Sequence, residues 1–145
     1  MPGITVGIDG SAHSTYALEW AIKEAAVRHA PVTVLTVHTV PASGWTGNPI
    51  TLPPDAADVE KARQAAEEMV VKAISQLGVA QSPSVTVRAI SGFPVQELIE
   101  ASRTSDLVVV GSRGAGGFAR LLVGSVSSQV VHYAHCPVVV VPRES

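Results

Sequence analysis

The chain has one cysteine among 145 residues, Cys136, so it forms no internal disulfide, and a reducing, cytoplasmic compartment is expected. Aromatic residues are scarce: two Trp, two Tyr and two Phe leave little material for a flavin sandwich. There is no excess of basic charge. Twelve acidic against ten basic residues give a net charge of −2. That balance argues against a nucleic-acid partner, which calls for a basic face. No apolar run is long enough to cross a membrane, and Met1-Pro2-Gly3 lacks the basic region of a secretory leader. What the chain does have is small apolar residues. The hydrophobic fraction is 46%, mostly Ala and Val, and the mean hydropathy is +0.30. That is enough to bury one core, and residues 1–145 are expected to form a single domain.

The apolar pattern alternates between strand-like runs and helical periodicity. Ile4 to Ile8 is a short buried strand. Ser14 to His29 is a helix with Leu18, Ile22 and Ala25 on one face, closed by Pro31. Val32 to Val40 is a β-branched second strand, followed by a Pro-, Gly-, Ser- and Thr-rich stretch from Pro41 to Pro54. A helix from Asp55 to Leu77 buries Val59, Ala62, Ala66, Met69, Ala73 and Leu77, and Gly78 stops it. Then come a strand from Val85 to Ile90, a helix opening at Pro94, and a strand from Leu107 to Val110. A helix from Ser125 to Ala134 and a last strand, Pro137 to Val141, complete the chain. Near-continuous apolar strands alternating with helices predict an α/β fold: a doubly wound five-stranded parallel sheet covered on both faces. These patterns leave the strand order open.

In such a sheet, ligands bind outside the carboxyl ends of the strands. The loops there are Asp9-Gly10-Ser11, His38-Thr39-Val40 and Gly111-Ser112-Arg113-Gly114-Ala115-Gly116-Gly117. The last is glycine-rich directly after four buried apolar residues, so its backbone N–H groups can approach a phosphate closely. Gly124-Ser125 follows at the start of a helix, where unpaired N–H groups and the helix dipole favour an anion. Each feature also has a plain structural use: the glycines make a tight turn, Ser125 caps a helix, and Asp9 caps the first helix.

The spacing Gly111, two residues, Gly114, nine residues, Gly124-Ser125 resembles the ATP-binding signature of the universal stress protein family. Val6 to Ser11 looks like that family's first strand and Asp-Gly-Ser turn, Val37 to Val40 like its second-strand end, and Cys136 to Val141 like its terminal strand. The resemblance implies an ATP-binding protein of stress response or signalling, with the sheet order 3-2-1-4-5. It puts Gly7, Ile8 and Asp9 at the nucleoside, the backbone of Thr39 at the adenine edge, and Val110, Gly111, Arg113 and Gly114 along the ribose and phosphates. Gly124, Ser125, Val126 and Ser127 would hold the phosphates. ATP, with or without Mg2+, is the implied ligand, and cyclic AMP is the alternative in the same pocket. The final strand would be an edge carrying four valines in a row, Val138, Val139, Val140 and Val141. An edge that apolar, with no internal charge or proline, invites pairing, and the resemblance supplies a homodimer through that strand.

Other chemistries lack their residues. A Walker loop, a Rossmann G-x-G-x-x-G after the first strand and a G-x-S-x-G nucleophile elbow are all missing. No carboxylate cluster suits catalytic magnesium, so any ATP hydrolysis should be slow. His13, His29, His38, His132 and His135 are scattered; His132 and His135 share a helical spacing that suits a surface pair better than a metal site. Cys136, before a proline and a valine strand, should behave as a small buried apolar group.

Overall fold

The computed structural model describes residues 3–39, 56–79, 81–112 and 125–142. Nine elements alternate: β1 (Ile4–Ile8), α1 (Ala12–Arg28), β2 (Val32–Thr39), α2 (Ala56–Leu77), β3 (Val85–Gly92), α3 (Pro94–Ser102), β4 (Leu107–Gly111), α4 (Ser125–Tyr133) and β5 (Val138–Val141). The strands form one parallel sheet in the order β3-β2-β1-β4-β5. The connections β1-α1-β2 and β4-α4-β5 leave the sheet centre in opposite directions, so the switch point lies between β1 and β4.

Side-chain alternation along the strands builds two cores. Ile4, Val6 and Ile8 of β1, Val32 and Val34 of β2, and Leu107 and Val109 of β4 face α1 and α2. Leu35, Val108 and Val110 face the other way, toward Leu98 of α3 and Val130 of α4. The α1 face is lined by Ala17, Leu18, Ala21, Ile22 and Ala25, none with measurable exposure. Three alanines in that stripe let the helix lie close on the β-branched sheet. On α2 the buried line is Ala66, Val70 and Ala73, with Met69 and Leu77 packed beside it and Val59 and Ala62 half-buried.

Several boundaries differ from the sequence expectation. Helix α1 begins at Ala12, two residues before Ser14, and ends at Arg28. Its stop is His29 in the left-handed conformation, φ 54°, with its N–H on the Ala25 carbonyl, and not Pro31. Strand β3 runs two residues past Ile90, to Gly92, because its pairing with β2 continues through His38–Ser91 and Thr39–Gly92. Strand β5 starts at Val138; Pro137 stands just before it and accepts a hydrogen bond from Val108 N–H at 3.0 Å. Helix α4 ends at Tyr133, so His135 lies beyond it and does not share a helix with His132. Cys136 is half-buried against the α3–α4 core. Gly78 ends α2 as expected, with φ 58° and its N–H on Ile74 O. Val40, the Pro41 to Pro54 stretch, Arg113, Gly114 and Gly124 lie outside the described residues.

Candidate functional site at the strand ends

The register sets the shape of the carboxyl end of the sheet. Ile8, the last residue of β1, pairs with Thr36 of β2. Beyond that row β2 and β3 continue together through Val37–Ile90, His38–Ser91 and Thr39–Gly92. At about 3.3 Å per residue this overhang rises about 10 Å above the end of β1. On the other side β4 stops level with β1, since Val6 pairs with Val109 and two residues more bring each strand to its end, at Ile8 and Gly111. The top of the sheet is therefore a low floor over β1 and β4 with a wall along β2.

Main-chain direction on that wall follows from the ladder. Ile4 N–H donates to Pro31 O at 3.0 Å, while Val32 N–H donates to Ser84 O at 2.8 Å. Backbone groups alternate along a strand, so the odd-numbered residues of β2 face β1 and the even-numbered ones face β3. Thr39 is odd. Its N–H and C=O point across the floor, over the place where β1 has ended.

Asp9 leaves β1 onto this floor. Gly10 turns the chain with φ +82°, in a region that favours glycine. The Asp9 carboxylate is held from its own turn: Oδ1 accepts from Ser11 N–H at 2.9 Å and from Ser11 Oγ at 2.6 Å. Ser11, and not Asp9, stands at the N-cap position of α1.

Helices α1 and α4 both start where strands β1 and β4 end, so their N-termini point at the same end of the sheet. Neither carries an acidic residue in its first turn, whereas α2 has Asp58 and α3 has Glu97 there. The partial positive charge of α1 and α4 is therefore not offset within their own first turns. In α4, Val126 is 37% exposed and the Ser127 side chain is buried.

Gly7, Ile8 and Val110 fall beneath the floor. Ile8 and Val110 are buried in opposite cores, and Gly111 closes β4. Gly7 has a packing duty of its own, since a Cβ there would meet Leu98 of α3. The structure thus brings Asp9, Thr39 and Gly111 to one end of the sheet, with α4 entering from the same end. Ser11 was not among the sequence candidates. The signal for it was the Asp-x-Ser spacing, which favours a side chain-to-backbone bond two residues on. Among the described residues no group of three or more His, Cys, Asp and Glu is placed to hold a metal ion, and no helix is long and apolar enough to cross a membrane.

Comparison with known proteins gives a consistent picture. The family profile described as "Universal stress protein family" matches residues 2–142. A universal stress protein of Mycolicibacterium smegmatis is 37% identical over 139 residues, which is 96% of this chain and 47% of that protein. Another, from Mycobacterium tuberculosis, is 34% identical over 145 residues, covering 98% of this chain and 48% of the relative. The chain spans about half the length of the curated relatives it matches. Among solved structures, universal stress protein UspA from Lactobacillus plantarum aligns with a TM-score of 0.78 at 25% identity, covering 97% of each chain. A universal stress protein solved in complex with cAMP aligns with a TM-score of 0.69 at 25% identity, covering 97% of this chain and 96% of its own.

Proposed function

The chain belongs to the universal stress protein family, and from that premise we propose that it binds an adenine nucleotide, ATP in the first place, across the carboxyl ends of β1 and β4. The observation that carries the reading is the direction of Thr39. A backbone donor and acceptor aimed side by side over the end of β1 match the N1 acceptor and N6 donor on the edge of adenine. Asp9 would then meet the ribose. The glycine-rich connection from Gly111 through Arg113 and Gly114 to Gly124, with Ser125, Val126 and Ser127, would carry the phosphates. The N-termini of α1 and α4, with no acid in their first turns, suit that anion. Mg2+, if present, would arrive with the triphosphate and be held mainly by phosphate oxygens and water. The role is then one of binding and signalling, with hydrolysis far below the enzyme median of about 10 per second.

The test is the ligand itself. Protein purified without added nucleotide should show a 260 nm excess and release an adenine nucleotide identified by mass. In calorimetry, Gly114→Ala or Gly124→Ala should weaken ATP by about tenfold or more, equal to about 1.4 kcal/mol. Unchanged affinity in both variants would remove the phosphate site.

Cyclic AMP is the second reading, favoured by the likeness to the structure solved in complex with cAMP. Side-by-side titration with ATP and cyclic AMP separates the two. The edge position of β5 further supports a homodimer in which Val138 to Val141 pair with the same strand of a second copy, antiparallel across a two-fold axis.

A further inference from the structure

Ser11 occupies the N-cap position of α1, where a serine hydroxyl ordinarily accepts a hydrogen bond from an amide of the first turn. Here it makes no such bond. The hydroxyl turns the other way and donates to Asp9 Oδ1 at 2.6 Å, while the Ser11 N–H donates to the same oxygen at 2.9 Å. The helix start is served by other groups. Ser14 N–H reaches the Ser11 carbonyl at 3.2 Å, and Ser14 Oγ donates to that carbonyl at 2.8 Å. Among the described residues, a Cβ at Gly10 would meet no atom within 4 Å. One Asp9 oxygen thus receives two charge-assisted bonds from the same residue, and these help set the carboxylate's orientation.

We propose that Ser11 is a positioning residue: it gives up helix capping to fix the Asp9 carboxylate at the carboxyl end of β1 before a ligand arrives. The inference rests on the adenine-nucleotide reading above and adds to it a residue that acts through Asp9. Fixing one rotamer beforehand removes an ordering cost from binding. Loss of the hydroxyl should therefore appear in affinity and barely in stability, the reverse of what an ordinary N-cap serine would show.

The experiment is a double-mutant cycle read by calorimetry with ATP and by thermal melts. Ser11→Ala should weaken ATP by about tenfold, and Ser11→Gly, which also keeps the N–H, should do the same. Melting temperatures should stay near wild type. Ser11→Thr retains the hydroxyl and should restore affinity. In an Asp9→Ala background the Ser11→Ala change should have no further effect. Weakened binding by Asp9→Ala alongside wild-type binding by both Ser11→Ala and Ser11→Gly would overturn the positioning role and leave the nucleotide site standing. An equal loss with and without Asp9 would overturn it too, because the hydroxyl would then act on its own. A wild-type chain that binds neither ATP nor cyclic AMP, or an Asp9→Ala variant that binds as wild type, would remove the assigned role of Asp9 and this inference with it.

Discussion

The Cβ that Gly7 lacks would lie 2.9 Å from Cδ2 and 3.1 Å from Cδ1 of Leu98. Glycine in the central strand is what lets α3 settle on the sheet. Leu98 is 4% exposed and belongs to the α3–α4 core, so it has little room to swing aside.

Gly7→Ala should therefore destabilise the fold by about 1–3 kcal/mol through overpacking. Leu98→Ala alone should cost about 2–5 kcal/mol through the cavity it leaves. Because the two sites touch, the double variant should lose less than the sum. Urea unfolding of the four proteins measures this, and strict additivity would contradict the contact.

Ser102 ties the end of α3 to the approach of β5. Its side chain is 1% exposed; Oγ donates to Ile99 O at 2.5 Å and accepts His135 N–H at 2.9 Å. Ser102→Ala leaves that amide without its partner and should cost about 1–3 kcal/mol. The exposed Ser82→Ala should stay within about 0.5 kcal/mol of wild type. Equal stabilities would mean that the tether carries no weight.

Burial pushes the Cys136 thiol above its ordinary value; the Val108 backbone pulls it back and Asp106 adds to the rise. The thiolate is the reactive form, so near pH 8 iodoacetamide should modify Cys136 more slowly in the folded chain than in the urea-unfolded chain. The sign for stability follows. The unfolded chain deprotonates first, so this group favours the fold below the unfolded thiol's ordinary value and loses that contribution as pH rises through the folded one. Equal alkylation rates in folded and unfolded protein would contradict the burial argument.

On β5 the ladder also fixes which groups face outward. Pro137 O accepts from Val108 N–H and Val141 O from Ser112 N–H, so the odd positions face β4. Val138 and Val140 then turn their backbone groups to the free edge. Val140→Pro removes one outward donor and spares the β4 ladder, so the chain should still fold. If the proposed homodimer uses this edge, light scattering should find the variant as a monomer. A wild-type chain that is monomeric at high micromolar concentration would end the dimer proposal.

The strands were legible because each is an apolar, β-branched run, and α1 because Leu18, Ile22 and Ala25 keep helical spacing. Ends were harder. The start of α1 at Ala12 is set by a turn and not by apolar periodicity, and Ser91–Gly92 of β3 are paired by backbone after the apolar run has ended. Strand order came only through the family resemblance, since parallel crossovers of this length permit several. The placement of Asp9 and Gly111 at the carboxyl ends of β1 and β4 was legible because each directly follows or closes an apolar strand run. The packing reason for Gly7 was not: Leu98, distant in sequence, supplies it. Nor could spacing show which way the Thr39 backbone faces, which follows from the β1–β2 ladder.

The overhang of β2 beyond β1 changes what kind of mutation can alter recognition there. Whatever Thr39 contacts across that floor through its main chain, it contacts with an N–H and a C=O that every residue except proline possesses. Exchanging the side chain leaves those groups in place. Shortening β2 by two residues takes them away, and inserting one turns them toward β3. Recognition of a ligand through this main chain would be encoded as strand length and parity, so it would survive wide drift in sequence yet be lost through a single-residue insertion.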